Sequence, residues 1–183
     1  MNILAALILG HLIGDFPLQT NRIAQSKHEN QSMLVIHVLI HVCVTAALIK
    51  NPFDNVLLLT MIGCAHYLID LTKFSNGNSG PSRCFLFDQV IHLTSLSLIA
   101  LTTMYIPNML PINALPVTIL YPALAYGLLL GSMVFTWVWA NESTVTTASH
   151  NQRVWWVRSR MLVLSQRAGV ALLGLVVIAL FAR

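Results

Sequence analysis

Charge is what this sequence has least of. Ten lysines and arginines and six aspartates and glutamates make up 9% of its 183 residues, where a soluble globular domain carries about 25%. Too few charges remain to clothe a soluble surface. With 56% hydrophobic residues and a mean hydropathy of +0.73, the chain reads as a polytopic membrane protein. Cysteine is also scarce. Cys43, Cys64 and Cys84 are odd in number and stand at no metal-ligand spacing, which argues against a disulfide framework and predicts free thiols, two of them within apolar stretches. A concentrated basic patch is missing too: the net charge is +4, but the basic residues are scattered through short segments, so no nucleic-acid partner is expected. The opening MNILAALILG lacks a basic n-region and an A-x-A cleavage site and runs directly into His11 and Asp15, the pattern of a retained helix rather than a signal peptide. There is no internal repeat.

What is present is a series of apolar runs at 2–19, 33–50, 54–74, 84–107, 117–140 and 161–182, each near the 17–25 residues that span a bilayer. Between them lie TNRIAQSKHENQ, NPFD, SNGNSGPSR, PNMLPINALP and ESTVTTASHNQR, all rich in turn chemistry. Pro17 removes an amide donor late in the first run and is expected to kink or end that helix near the membrane surface. Lysine and arginine set the orientation, because cytoplasmic loops hold their excess. Arg22, Lys27, Lys73, Arg83, Arg153, Arg158 and Arg160 fall in the first, third and fifth loops, against Lys50 and Arg183 on the other side. Both termini are therefore expected outside.

Within the first four runs stand four i,i+4 pairs: His11/Asp15, His37/His41, His66/Asp70 and Asp88/His92. Residues four apart share a helix face, and an ionisable group at the centre of a membrane helix costs about 2.5–3.5 kcal/mol on insertion scales. Each pair lies about four to eight residues from the cytoplasmic end of its run, or roughly 6–12 Å deep at 1.5 Å per residue. Because alternate runs are antiparallel, Asp15, His37, Asp70 and Asp88 form a shallower layer and His11, His41, His66 and His92 a deeper one. One such residue has a dull structural explanation; eight at a common depth point to a shared metal site, since buried unpaired carboxylates are costly and apolar packing would serve as well.

Imidazole and carboxylate together suit zinc first, with iron or manganese as alternatives. The donors suffice for two ions about 3.5–4 Å apart, or for one ion whose imidazoles are held by outer carboxylates. Such an ion lowers the pKa of a bound water towards neutrality for attack on an ester or phosphoester, with an unligated aspartate among Asp15, Asp70 and Asp88 as general base. Gln19, Lys73 and Gln89 adjoin the pairs and are candidates for binding substrate or orienting a ligand, although Lys73 is as well explained by snorkelling to the interface. Gly10 and Gly14 read as a close helix-packing face, and Thr20, Asn21 and His28 as cytoplasmic loop.

The last third has no acidic residue in its two spans. HNQRVWWVRSR mixes arginines with Trp155 and Trp156, the mark of a basic and aromatic interfacial anchor, and Arg167 can snorkel back from the sixth span. The expected fold is all-α: a single transmembrane domain over 1–183 with six helices. Residues 1–108 form a four-helix core around the polar site, and 109–183 add two further helices.

The runs HLIGDFPLQ, HVLIH, HYLIDLTK and FDQVIHL, within residues 8–95, resemble the motifs of a bacterial integral membrane family, domain-of-unknown-function family 3307, which lends no established activity but implies a location in a bacterial inner membrane. More loosely, His/Asp patterns in membrane spans are similar to those of membrane-bound metal-dependent hydrolases. That similarity implies a hydrolase acting on a phospholipid or other amphiphile, with membrane lipids as surroundings and substrate and with the oligomeric state open. Two other classes compete. A membrane di-iron oxidoreductase would use the single HxxxH box at His37 and His41 but lacks the further histidine boxes of desaturases. A metal-ion or proton transporter would need the polar trail to continue beyond one depth.

Overall fold

The computed structural model describes residues 2–27, 30–72, 80–105, 115–142 and 152–182. It is all-helical, with no strand among those residues: α1 (Asn2–Asp15), α2 (Asn21–Ser26), α3 (Gln31–Leu48), a single 3-10 turn (Pro52–Asn55), α4 (Val56–Leu71), α5 (Pro81–Thr102), α6 (Val117–Glu142) and α7 (Gln152–Phe181). Five of these are long and apolar enough to cross a membrane, in α3, the 3-10 turn with α4, α5, α6 and the Ser159–Phe181 part of α7. Their outward faces carry large apolar side chains such as Leu39, Leu57, Leu68, Val90, Leu98, Leu129 and Ile178. A surface of that kind is stable only against lipid, and the chain is a membrane protein.

The first helix is shorter than the apolar run containing it. It ends at Asp15, two residues before Pro17, because a residue preceding proline is pushed out of the helical region. Its 14 residues rise about 21 Å, less than the roughly 30 Å hydrocarbon core. This short helix sits in the middle of the molecule. Ala6 and Leu9 are fully buried, and α3, α5 and α6 all pack against it. The sequence also places residues 152–160 in an interfacial loop segment, whereas the structure continues α7 through them.

Local chemistry explains most of the element boundaries. Asn30 caps α3, its Oδ1 accepting from the amides of Ser32 at 2.9 Å and Met33 at 3.4 Å. Pro81 opens α5 with its preset φ, and Glu142 at the end of α6 accepts from the amide of Ser82 at 3.0 Å. Two apolar clusters result. Leu9, Ile13, Leu120, Leu130 and Leu172 join α1 to α6 and α7. Leu7, Ile49, Leu58, Ile62, Leu96 and Ile99 fill the space between α1, α3, α4 and α5 at the end of these helices away from Asp15, His37, Asp70 and Asp88.

Candidate metal centre

The i,i+4 spacing places both members of each pair on one face of their helix, and α1, α3, α4 and α5 turn these faces towards one another. The deeper four histidines close a ring of imidazoles. Centroids are 5.5 Å apart for His11 and His41, 3.7 Å for His41 and His66, 4.3 Å for His66 and His92, and 4.9 Å for His92 and His11. His37, one turn along α3, meets His41 at 4.7 Å and His66 at 5.1 Å. Asp15 Oδ1 lies 3.1 Å from His41 Nε2, 3.3 Å from His37 Nε2 and 4.0 Å from His66 Nε2. Asp70 Oδ2 lies 3.3 Å from His37 Nε2 and 3.5 Å from His66 Nε2, and the two Nε2 atoms are 3.2 Å apart.

These separations have a natural scale. Donors arranged tetrahedrally around a zinc at bonds of about 2.0–2.2 Å stand roughly 3.3–3.6 Å from each other. Three groups have donor atoms all within 4.8 Å: His11, Asp15, His41 and His66; His37, His66 and Asp70; and Asp70, Asp88 and His92. His66 belongs to the first two and Asp70 to the last two, so the eight residues form one chain of overlapping ligand sets.

Residues 3–119 match the family described as "Protein of unknown function (DUF3307)". The chain belongs to this family. The match runs from α1 into the start of α6 and contains all eight paired residues. No curated protein and no solved structure matches the chain, so the looser similarity to membrane-bound hydrolases has no counterpart there.

Hydrogen bonds within this DUF3307 segment fix the ring tautomers. His92 Nδ1 lies 3.0 Å from the Asp88 carbonyl, which can only accept, so Nδ1 carries the proton and Nε2 the lone pair. That lone pair is buried without a hydrogen-bond partner among the described residues and faces Asp70 Oδ1 across 3.9 Å. Two acceptors facing each other in a dry interior repel unless a cation lies between them. Gln89 shows the same logic. Its Nε2 donates to Asp15 Oδ2 at 3.1 Å and Asp88 Oδ2 at 3.3 Å, which leaves its Oε1 to accept from His11 Nε2 at 3.2 Å. His11 Nδ1 then holds the lone pair, again buried with no partner. The residues present therefore fit a divalent ion. Gln89, a candidate by sequence for binding substrate or orienting a ligand, is engaged on both ends of its amide by members of the cluster. Gln19 lies beyond the end of α1, half-buried, and makes no side-chain hydrogen bond among the described residues. Lys73 and His28 fall outside the described residues.

The residue that the sequence reading missed is Lys27. Assigned there to a loop as a topology signal, it is 8% exposed and follows α2 directly. Its Nζ donates to Asp70 Oδ1 at 3.1 Å, Asp70 Oδ2 at 3.2 Å and His37 Nε2 at 3.3 Å. Burial works to lower its pKa, but the charges of Asp15 and Asp70 outweigh it and raise the ammonium above its ordinary value. A signal for this was available: Thr20 caps α2 by accepting from the Ile23 amide at 3.3 Å, and Ile23 and Lys27, one turn apart, are both buried. With Lys27 counted and the imidazoles neutral, the three carboxylates, of which Asp88 is 32% exposed, face one ammonium, a net charge of −2 that one divalent ion neutralises.

Gly14 holds His41 in place. A Cβ at this position would fall inside the His41 imidazole, whereas one at Gly10 would meet the Thr45 hydroxyl at 2.9 Å. Gly14→Ala is accordingly expected to cost about 1–3 kcal/mol by overpacking and, with His41 as a ligand of the candidate site, to weaken any metal binding there about 10-fold by moving it. Gly10→Ala, which meets only a hydroxyl that can rotate, should have a smaller effect. Thermal melts paired with metal titrations of the two variants separate these outcomes.

Proposed function

We propose that this chain is an integral membrane metal-dependent hydrolase of the bacterial inner membrane. Its His/Asp centre opens towards the cytoplasm and acts on a phospholipid or other amphiphilic ester or phosphoester. The observation that carries the reading is the convergence of His11, Asp15, His37, His41, His66, Asp70 and His92 from four helices, with donor atoms 3.1–4.0 Å apart and buried ring nitrogens that have no hydrogen-bond partner. Zinc is the favoured ion, iron or manganese the alternative. Bound there, the ion supplies Lewis acidity and activates water for attack.

The carboxylates divide by environment. Asp70 is tied to the Lys27 ammonium, whereas Asp15, which accepts from Gln89 and lies 3.1 Å from His41 Nε2, acts as a ligand. Asp88 is 32% exposed at its side chain and is the one carboxylate of the cluster open to an entering substrate, which makes it the general base. An apolar groove of about 390 Å³ between α4 and α5, lined by Ala65, Leu68, Ile69, Ile91, Ser95 and Leu98, runs beside the helices that carry His66 and His92 and suits an alkyl chain. Against transport stands the apolar cluster of Leu7, Leu58, Ile62, Leu96 and Ile99, which closes the same four helices at their other end.

The topology belongs to the same proposal: α1 is a short sixth crossing, sheltered by its neighbours, and both termini lie outside. In a cysteine-free background, cysteine placed at position 78 should label only from the cytoplasm and cysteine at position 182 only from outside; the reverse pattern would put the site on the wrong face. Hydrolysis is tested by incubating metal-loaded protein with labelled anionic lipids and phosphoesters, beside a chelated control and Asp88→Asn. Turnover should need the ion and fall about 10²–10⁴-fold in the variant, the contribution of a general base. Ion flux in liposomes that responds to these residues, without metal-dependent turnover, would transfer the reading to transport.

A further inference from the structure

Lys27 bears on how many ions the centre takes, an inference that rests on the metal reading above. The second ligand group is a nearly equilateral triangle of donors. Its edges are 3.2 Å from His37 Nε2 to His66 Nε2, 3.3 Å from His37 Nε2 to Asp70 Oδ2 and 3.5 Å from His66 Nε2 to Asp70 Oδ2. That is the size of one face of a tetrahedral site, and Lys27 Nζ is bonded to two of its three corners. We propose that the Lys27 ammonium occupies the second cation position of this centre. The native chain then holds one divalent ion, on His11, Asp15, His41 and His66, and accepts a second only when that ammonium is withdrawn, the single lone pair of His66 Nε2 then passing to the ion on His37 and Asp70 and leaving His11, Asp15 and His41 on the first.

Two physical arguments lead here. An imidazole nitrogen has one lone pair, so His37 Nε2 cannot accept from Lys27 and ligate an ion at the same time. Charge gives the same answer independently. Three carboxylates, one ammonium and one divalent ion sum to zero with neutral imidazoles, whereas a second divalent ion would leave two uncompensated positive charges in a buried space. The first group has no such competitor, since none of its donors is bonded to Lys27. Lys27 thus sets the metal stoichiometry, and because it lies in the segment linking α1 to α3, any movement of that segment changes the count.

The test measures zinc per chain in the full-length protein in detergent, loaded with excess zinc and freed of unbound ion. Wild type should carry one ion, Lys27→Met two, and Lys27→Met with Asp70→Asn one. X-ray absorption of the wild-type protein supplies a measurement that needs no variant. It should show no metal–metal scattering at about 3.5–4 Å, the spacing of a two-metal site. Two ions in wild type, a metal–metal signal in it, or a single ion in well-folded Lys27→Met each overturn the role of Lys27 and leave the metal centre standing. Wild type without any zinc overturns the centre itself.

Discussion

Protein carrying Asp15→Asn and His66→Ala together is expected to lose at least about 100-fold in metal affinity and to purify without stoichiometric metal. These two residues contribute two of the four donors of the first ligand group, and each reaches beyond it. Asp15 lies within 3.3 Å of His37 as well as His41 and accepts from Gln89, while His66 also belongs to the second group. Loss of an outer partner alone typically costs 10–100-fold in affinity, so removing two direct donors sets a higher floor. Gln19→Ala, outside the hydrogen-bonded cluster, should bind like the native chain. The measurement is metal content by mass spectrometry on samples whose helix content and elution are unchanged. Stoichiometric metal in the double variant would mean that these helices do not share an ion.

The sequence shows the parts of this centre that follow from periodicity and hides those that depend on a loop. A helix repeats its face every three to four residues, so His11/Asp15, His37/His41, His66/Asp70 and Asp88/His92 are readable as four aligned pairs. Antiparallel packing of α1, α3, α4 and α5 then brings their side chains together. The helix ends are readable where local chemistry sets them: Pro17 stops α1, and Asn30 starts α3. Lys27 was not legible in this way, because it follows a six-residue helix too short to show a period, and a lysine in a membrane protein loop is ordinarily a topology signal. Of the three residues that Gln89 bonds in the cluster, the sequence showed one, Asp88. Adjacency to Asp88 is visible in sequence, whereas its hydrogen bonds to His11 and Asp15 cross from α5 to α1 and exist only in the fold. The 14-residue length of α1 falls between these cases: apolar composition continues past Asp15, but backbone geometry before proline does not permit the helix to follow.

Removing the ion should lower the melting temperature of the native protein by about 8–16 °C. An ion that binds the folded chain alone adds about 4.1 kcal/mol of stability at a free concentration of 1,000 times Kd, and a chain of this size shifts about 2–4 °C per kcal/mol. The direction follows from what the ion leaves behind. Asp15, Asp70 and Asp88 share one ammonium, that of Lys27, and the lone pair of His11 Nδ1, in the first ligand group with Asp15, has no hydrogen-bond partner among the described residues. Without a cation these groups repel in an interior that cannot solvate them. Melts are recorded with saturating zinc and with chelator, for the native chain and for Asp15→Asn with His66→Ala. The native chain should show the difference, and the double variant should show almost none. Equal melting temperatures with and without zinc in the native chain would mean that the carboxylates are balanced by Lys27 and protons alone, and the cluster would then be a polar core rather than a metal centre.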